Sequence, residues 1–179
     1  MAKKIIMAWS KCKFEIGKTK NDDTMAEALT DIGTIKDKSS TLEPSDGESL
    51  EMKATGGETV AKETQEGGFK ATTRVIEPTN GLLTLLGLGE EVKDAGADKG
   101  DFKVNTHIVD GDWSLKITPK NTGAKGIKAP KTSITYKPGW SEEDGNYADI
   151  DFEIIKGDAG YWYSIFTKAA STVSGSGGS

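Results

Sequence analysis

The chain has 179 residues and a formal net charge of -5, a length that suits one domain with a real core and is short for two. Leu, Ile, Val and Phe number only 34, at the edge of disordered composition, but so small a net charge lacks the self-repulsion that disorder requires. No window holds 18 apolar residues, which argues against a membrane-spanning helix, and Ile5-Ile6-Met7-Ala8-Trp9 is too short for a signal sequence. The single cysteine, Cys12, forbids an internal disulfide. One histidine, His107, excludes a multi-histidine metal site. One arginine, Arg74, among 23 basic residues argues against sequence-specific DNA reading, which draws on the planar guanidinium.

Apolar residues alternate with polar ones from the start. Cys12, Phe14 and Ile16 share one strand face, and the same period of two marks Leu50-Met52-Ala54 and Phe69-Ala71-Thr73-Val75. It recurs at Phe102-Val104-Thr106-Ile108, Trp113-Leu115-Ile117, Thr132-Ile134-Tyr136 and Ala148-Ile150-Phe152-Ile154. Turn signals fall between these runs: Asp46-Gly47, Gly56-Gly57, Gly67-Gly68, Asp110-Gly111, Pro138-Gly139 and Asp144-Gly145. Gly56-Gly57 and Asp110-Gly111 read as hairpin turns. The expected fold is all-β, an antiparallel β-sandwich or partial barrel. Leucines at 82, 83, 85 and 86, behind Thr79 and Asn80 and ahead of Gly87, predict one short flanking helix over about 79–87. A second, weaker helical pattern covers 23–29. Residues 89–100 are charged and apolar-poor and read as a mobile loop. Residues 1–168 are expected to form one domain, and 169–179, ending in Ser174-Gly175-Ser176-Gly177-Gly178-Ser179, a flexible linker-like tail.

The chemistry-bearing residues do not assemble a catalytic motif. His107 with Asp110 and Asp112 falls short of a ligand set and reads as a solvated turn. Gly87-Leu88-Gly89 lacks the third glycine and the preceding strand of a dinucleotide fingerprint, so it reads as a helix terminus. Cys12 lies on an apolar face and reads as an inert buried thiol. No catalytic, cofactor-binding or metal-ligating residue is assigned, and the chain is expected not to be an enzyme. Trp113 fits the core. Tyr161-Trp162-Tyr163, read as a strand, places rings on both faces, so at least one needs cover from outside its own core.

Charge is segregated along the chain. Residues 43–66 carry Glu43, Asp46, Glu48, Glu51, Glu58, Glu63 and Glu66 against Lys53 and Lys62. Residues 113–141 carry Lys116, Lys120, Lys125, Lys128, Lys131 and Lys137 and no acid. Two solvated faces would account for this, and so would pairing within the subunit. The sharper expectation is a self-complementary subunit whose acidic and basic stretches meet a neighbour's, with Tyr161, Trp162 and Tyr163 also at the interface.

Several features in order carry a resemblance. Ile32-Gly33 enters a strand, and the acidic turn Glu43-Pro44-Ser45-Asp46-Gly47 follows. An acidic hairpin around Gly56-Gly57-Glu58, a strand ending at Glu77-Pro78, the leucine helix and a second group of strands complete the series. Over roughly residues 10–168 this profile resembles the phage major tail tube proteins, a family whose fold is shared with the type VI secretion tube proteins. The resemblance implies a structural virion subunit, assembled in the host cytoplasm, that forms stacked rings, commonly of six, around a channel through which DNA passes without base readout. It implies contacts with other tail proteins and no catalytic residues or cofactor. Because DNA must slide through without being held by lysine–phosphate contacts, the channel wall of such a tube is expected to be acidic or neutral, with the hairpin strands of 48–66 as its best candidates. The alternative from another class is a monomeric β-sandwich binding module, of carbohydrate-binding or adhesin type.

Overall fold

The computed structural model describes residues 12–169 apart from 46, 48, 54, 65, 94, 95, 97–99 and 159, and only the backbone of 49, 50, 63 and 64. The tail from residue 170 onward, Asp46, Glu48 and Ala54 therefore lie outside the described residues. Along the chain run β1 (Lys13–Lys18), β2 (Thr30–Asp31), β3 (Thr34–Ile35), β4 (Thr41–Pro44), β5 (Ser49–Lys53), β6 (Thr59–Thr64) and β7 (Phe69–Ile76). The short helix α1 (Asn80–Leu85) follows, then β8 (Gly89–Val92), β9 (Asp101–Val104), β10 (Trp113–Thr118), β11 (Lys125–Ser141), β12 (Gly145–Ile154) and β13 (Ser164–Thr167).

The main sheet has the order β2-β1-β10-β11-β12-β7-β3, with β4 also on β7 and β13 also on β11. All of its pairings are antiparallel. Its interior face is set by the alternation: Phe14 and Ile16, Trp113 and Leu115, Ile134 and Tyr136, Ile150 and Phe152, Ala71 and Val75 are all buried. The rings of Phe14 and Phe152 stack with centroids 6.1 Å apart. Their strands are three places apart in the sheet, about 14 Å if it were flat at ~4.8 Å per strand. The sheet therefore curls back on itself, and the fold is the expected all-β partial barrel: a mostly antiparallel curled half-barrel with one short helix.

A register shift between Trp113 and Leu115 helps the curl, because a bulge bends its strand and increases local twist. Ser114 sits at that shift with its hydroxyl buried but satisfied, donating to Pro130 O at 2.7 Å and accepting from Ala26 N at 2.9 Å. The helix forms as its residues predict. Thr79 Oγ1 accepts from Leu82 N at 3.2 Å, Gly87 takes a positive φ of 73° at the exit, and Leu82, Leu83 and Leu86 enter the core.

Five expectations are corrected. Residues 23–29 form no helix: Asp22 Oδ1 accepts from the backbone and hydroxyl of Thr24, and Asp23 adopts a φ of 55°, so local side-chain bonding wins over helical pairing. Within 89–100, Gly89–Val92 is not loop but β8, paired with β9. The run 102–108 does not form one half-buried strand: β9 ends at Val104 in that separate hairpin, Phe102 packs against the core, and Val104 and Ile108 stand exposed, Ile108 in an isolated bridge to Thr135. Asp110-Gly111 consequently joins no hairpin, because β10 pairs with β1 and β11. Pro138-Gly139 lies inside β11, which there has β12 on one side and no strand on the other, so the missing proline N–H removes no ladder bond.

Candidate functional site

Strand register decides what each charged residue meets. On the outer face of β11, β12 and β7, Lys137 stands opposite Asp149, and Asp149 opposite Arg74. Asp151 binds Lys137 at 2.7 Å and Lys70 at 2.9 Å. Burial alone would raise the Asp151 carboxyl, but these two ammonium groups outweigh it and hold it below the ordinary range. Asp144, in the β11–β12 turn, is held down chiefly by Lys36, at 2.7 Å, and then by Arg74, at 2.9 Å. Arg74 also stacks on the Tyr147 ring, 4.1 Å from its centroid. A groove of about 520 Å³ runs over this face, and its floor is that lattice of paired charges.

The basic stretch divides. Lys116 reaches Glu15 at 3.6 Å, Lys131 reaches Asp23 at 3.0 Å and Asp112 at 3.3 Å, and Lys137 holds Asp151, so these three are matched within the subunit. Lys120, Lys125 and Lys128 form no ion pair among the described residues. Lys125 Nζ donates to Thr167 Oγ1 at 2.6 Å, and Lys128 lies over the Phe166 ring at 5.2 Å with Lys116 at 5.9 Å. Lys168 joins them, its ammonium bonded to Lys120 O at 2.6 Å. Sequence reasoning missed Phe166 and Lys168, because they lie outside the acid-free run and reach it only through the pairing of β13 with β11.

The acidic stretch divides too. Glu51 pairs with Lys62 at 3.5 Å and Lys53 at 3.9 Å within its own hairpin, and Glu66 reaches Lys156 at 3.8 Å. Glu43 and Glu58 are exposed and form no ion pair among the described residues. Asp46 and Glu48 and the side chain of Glu63 lie outside them. The hairpin expected around Gly56-Gly57 is present as β5–β6, with both glycines at positive φ. Among the described residues its strands pair only with each other, and Met52 and Val60 stand 68% and 64% exposed.

Tyr161, Trp162 and Tyr163 are corrected as a group: they precede β13 and form no strand. Trp162 and Tyr163 pack edge-on against Phe69 at 6.0 and 5.0 Å, while Tyr161 is exposed. Among the described residues the most exposed large aromatic is Trp140, near the end of β11.

Burial pushes the Cys12 thiol above its ordinary value, in line with an inert side chain. Among the described residues no group of three His, Cys, Asp or Glu side chains is placed to hold a metal ion, and no helix is long and apolar enough to cross a membrane. No family model matches the chain, and no curated protein matches it.

Proposed function

We propose that the chain is a structural subunit that assembles with copies of itself, in the manner of the phage tail tube proteins it resembles, into rings that stack around a channel for DNA. The observation that carries this reading is the unfinished sheet. Among the described residues, the curled half-barrel leaves its flanking strands β2, β3, β4 and β13 each with a single partner, and β5–β6 and β8–β9 pair only within themselves. Open strand edges invite pairing with another chain, and closure by neighbours is one way of removing them. Segregated charge favours a heterologous contact, the kind that closes a ring, over a like-with-like one.

Sedimentation velocity across a range of protein concentrations, followed by negative-stain microscopy, tests the reading. Rings or tubes are the expected result, and a monomer at every concentration overturns it. The second reading, a monomeric binding module, is favoured by one observation: the indole of Trp140, 71% exposed, stands free for stacking on a flat ligand face. On that reading the protein stays monomeric, and Trp140→Ala abolishes ligand capture on a glycan array without lowering the thermal midpoint.

A further inference from the structure

Among the described residues, β13 pairs only with β11 and is an edge strand. Lys168 N donates to Ala124 O at 3.0 Å, and Gly123 N donates to Lys168 O at 2.8 Å, so residue 168 turns its backbone toward the β11 side. In an antiparallel ladder the backbone groups of alternate residues point to opposite sides. Ser164 and Phe166 therefore face β11, and the N–H and C=O groups of Ile165 and Thr167 point outward, where no strand among the described residues meets them. Ile165 is 63% exposed beside this edge. Lys125 shares its strand face, and Lys128 lies on the opposite face with Phe166, so unmatched cations straddle the edge.

We propose that the β5–β6 hairpin of a second copy of this chain docks along β13. It adds a strand to the free edge and sets its glutamates against Lys125, Lys128 and Lys168. The proposal rests on the self-assembly reading above and names its contact. Charge selects the occupant. β13 itself is uncharged, but Lys125 and Lys128 of β11 lean over it to Thr167 and Phe166, so two β13 edges side by side would crowd the lysines of both copies, which disfavours the isologous pairing and leaves an acidic strand as the complement. Residues 48–66 carry five glutamates against two lysines. Exposed Met52 and Val60 supply apolar surface to meet Ile165 and Phe166, and a five-residue strand matches one of four. The other self-paired hairpin, β8–β9, fits less well: its Phe102 packs against the core of its own subunit, and residues 89–104 carry five acids against three lysines.

The test uses the full chain and three variants: Lys125→Glu with Lys128→Glu, Glu51→Lys with Glu58→Lys, and all four changes together. Thermal midpoints check that each folds, and sedimentation velocity at low salt reads assembly. Each two-site reversal should raise the concentration at half-assembly about tenfold or more, the equivalent of ~1.4 kcal/mol, and the four-site variant should recover most of the loss. If the wild type assembles and either reversal leaves the concentration at half-assembly unchanged, or if the four-site variant is worse than both, the proposed contact is wrong while self-assembly stands. A wild type that remains monomeric throughout removes the self-assembly reading and this contact with it.

Discussion

Arg74 grips Asp149 through two parallel hydrogen bonds, Nε to Oδ1 at 2.7 Å and Nη2 to Oδ2 at 2.9 Å, while Nη1 reaches Asp144 at 2.9 Å. The only arginine of the chain thus ties β7 to β12 and to the turn that opens β12. Lysine cannot reproduce this fork. Arg74→Lys should lower the thermal midpoint by a few degrees, and the difference from wild type should shrink as salt is raised, because the site is open to solvent. A midpoint equal to wild type at low salt would show that the fork adds nothing.

Phe152 is fully buried against Phe14 at the closure of the curl. Phe152→Ala should cost about 3–5 kcal/mol in urea unfolding, the range for removing a buried ring that its neighbours cannot refill. A loss below about 1.5 kcal/mol, the usual ceiling for a well-tolerated core swap, would mean that the interior is loosely packed.

The cap of α1 makes a smaller demand. Thr79→Ala removes the acceptor for Leu82 N and should cost about 1 kcal/mol, whereas Thr79→Ser should be close to neutral. Equal losses in the two variants would place the effect in the methyl group instead of the hydroxyl.

Asp151 ties stability to pH. Its folded-state carboxyl is held below the unfolded value of ~3.9 by Lys137 and Lys70 against the pull of burial. A depressed acid contributes in full above the unfolded value, and the contribution is lost as pH falls through the folded one. The urea midpoint should therefore decline below about pH 4. Asp151→Asn should be less stable at pH 7 and show a shallower acid decline. An unchanged acid limb in that variant would assign the decline to other carboxylates.

Much of the fold was legible because most strands bury one face. The alternation at Phe14-Ile16, Ala71-Val75 and Ile150-Phe152 is written by the core it fills. It failed where a hairpin buries little of either face: β8 carries Glu90 and Glu91 and resembles a loop, and on β9 only Phe102 packs against the core while Val104 stands exposed. Pro138-Gly139 misled because a turn signal and an edge-strand proline look the same until the pairing is known. The charged surfaces were half legible. Runs of like sign are visible in the chain, but Lys131 meets Asp23 and Lys137 meets Asp151 only through pairing, which composition does not contain.

The pairing of β1 with β10 has a consequence for how the protein is made. Lys13 lies opposite Thr118, so the first central strand is synthesised about 100 residues before its partner. At ~5–20 residues per second that interval is about 5–20 s, long compared with the time a hairpin takes to form. During it, Phe14 and Ile16 have only the two-residue ladder to β2 and no completed core, while β5–β6 and α1, which are built from local contacts, can already close. Delaying the ribosome between β1 and β10 should therefore lengthen the interval in which the nascent chain is open to proteases and chaperones. A delay placed after β12 should have little such effect.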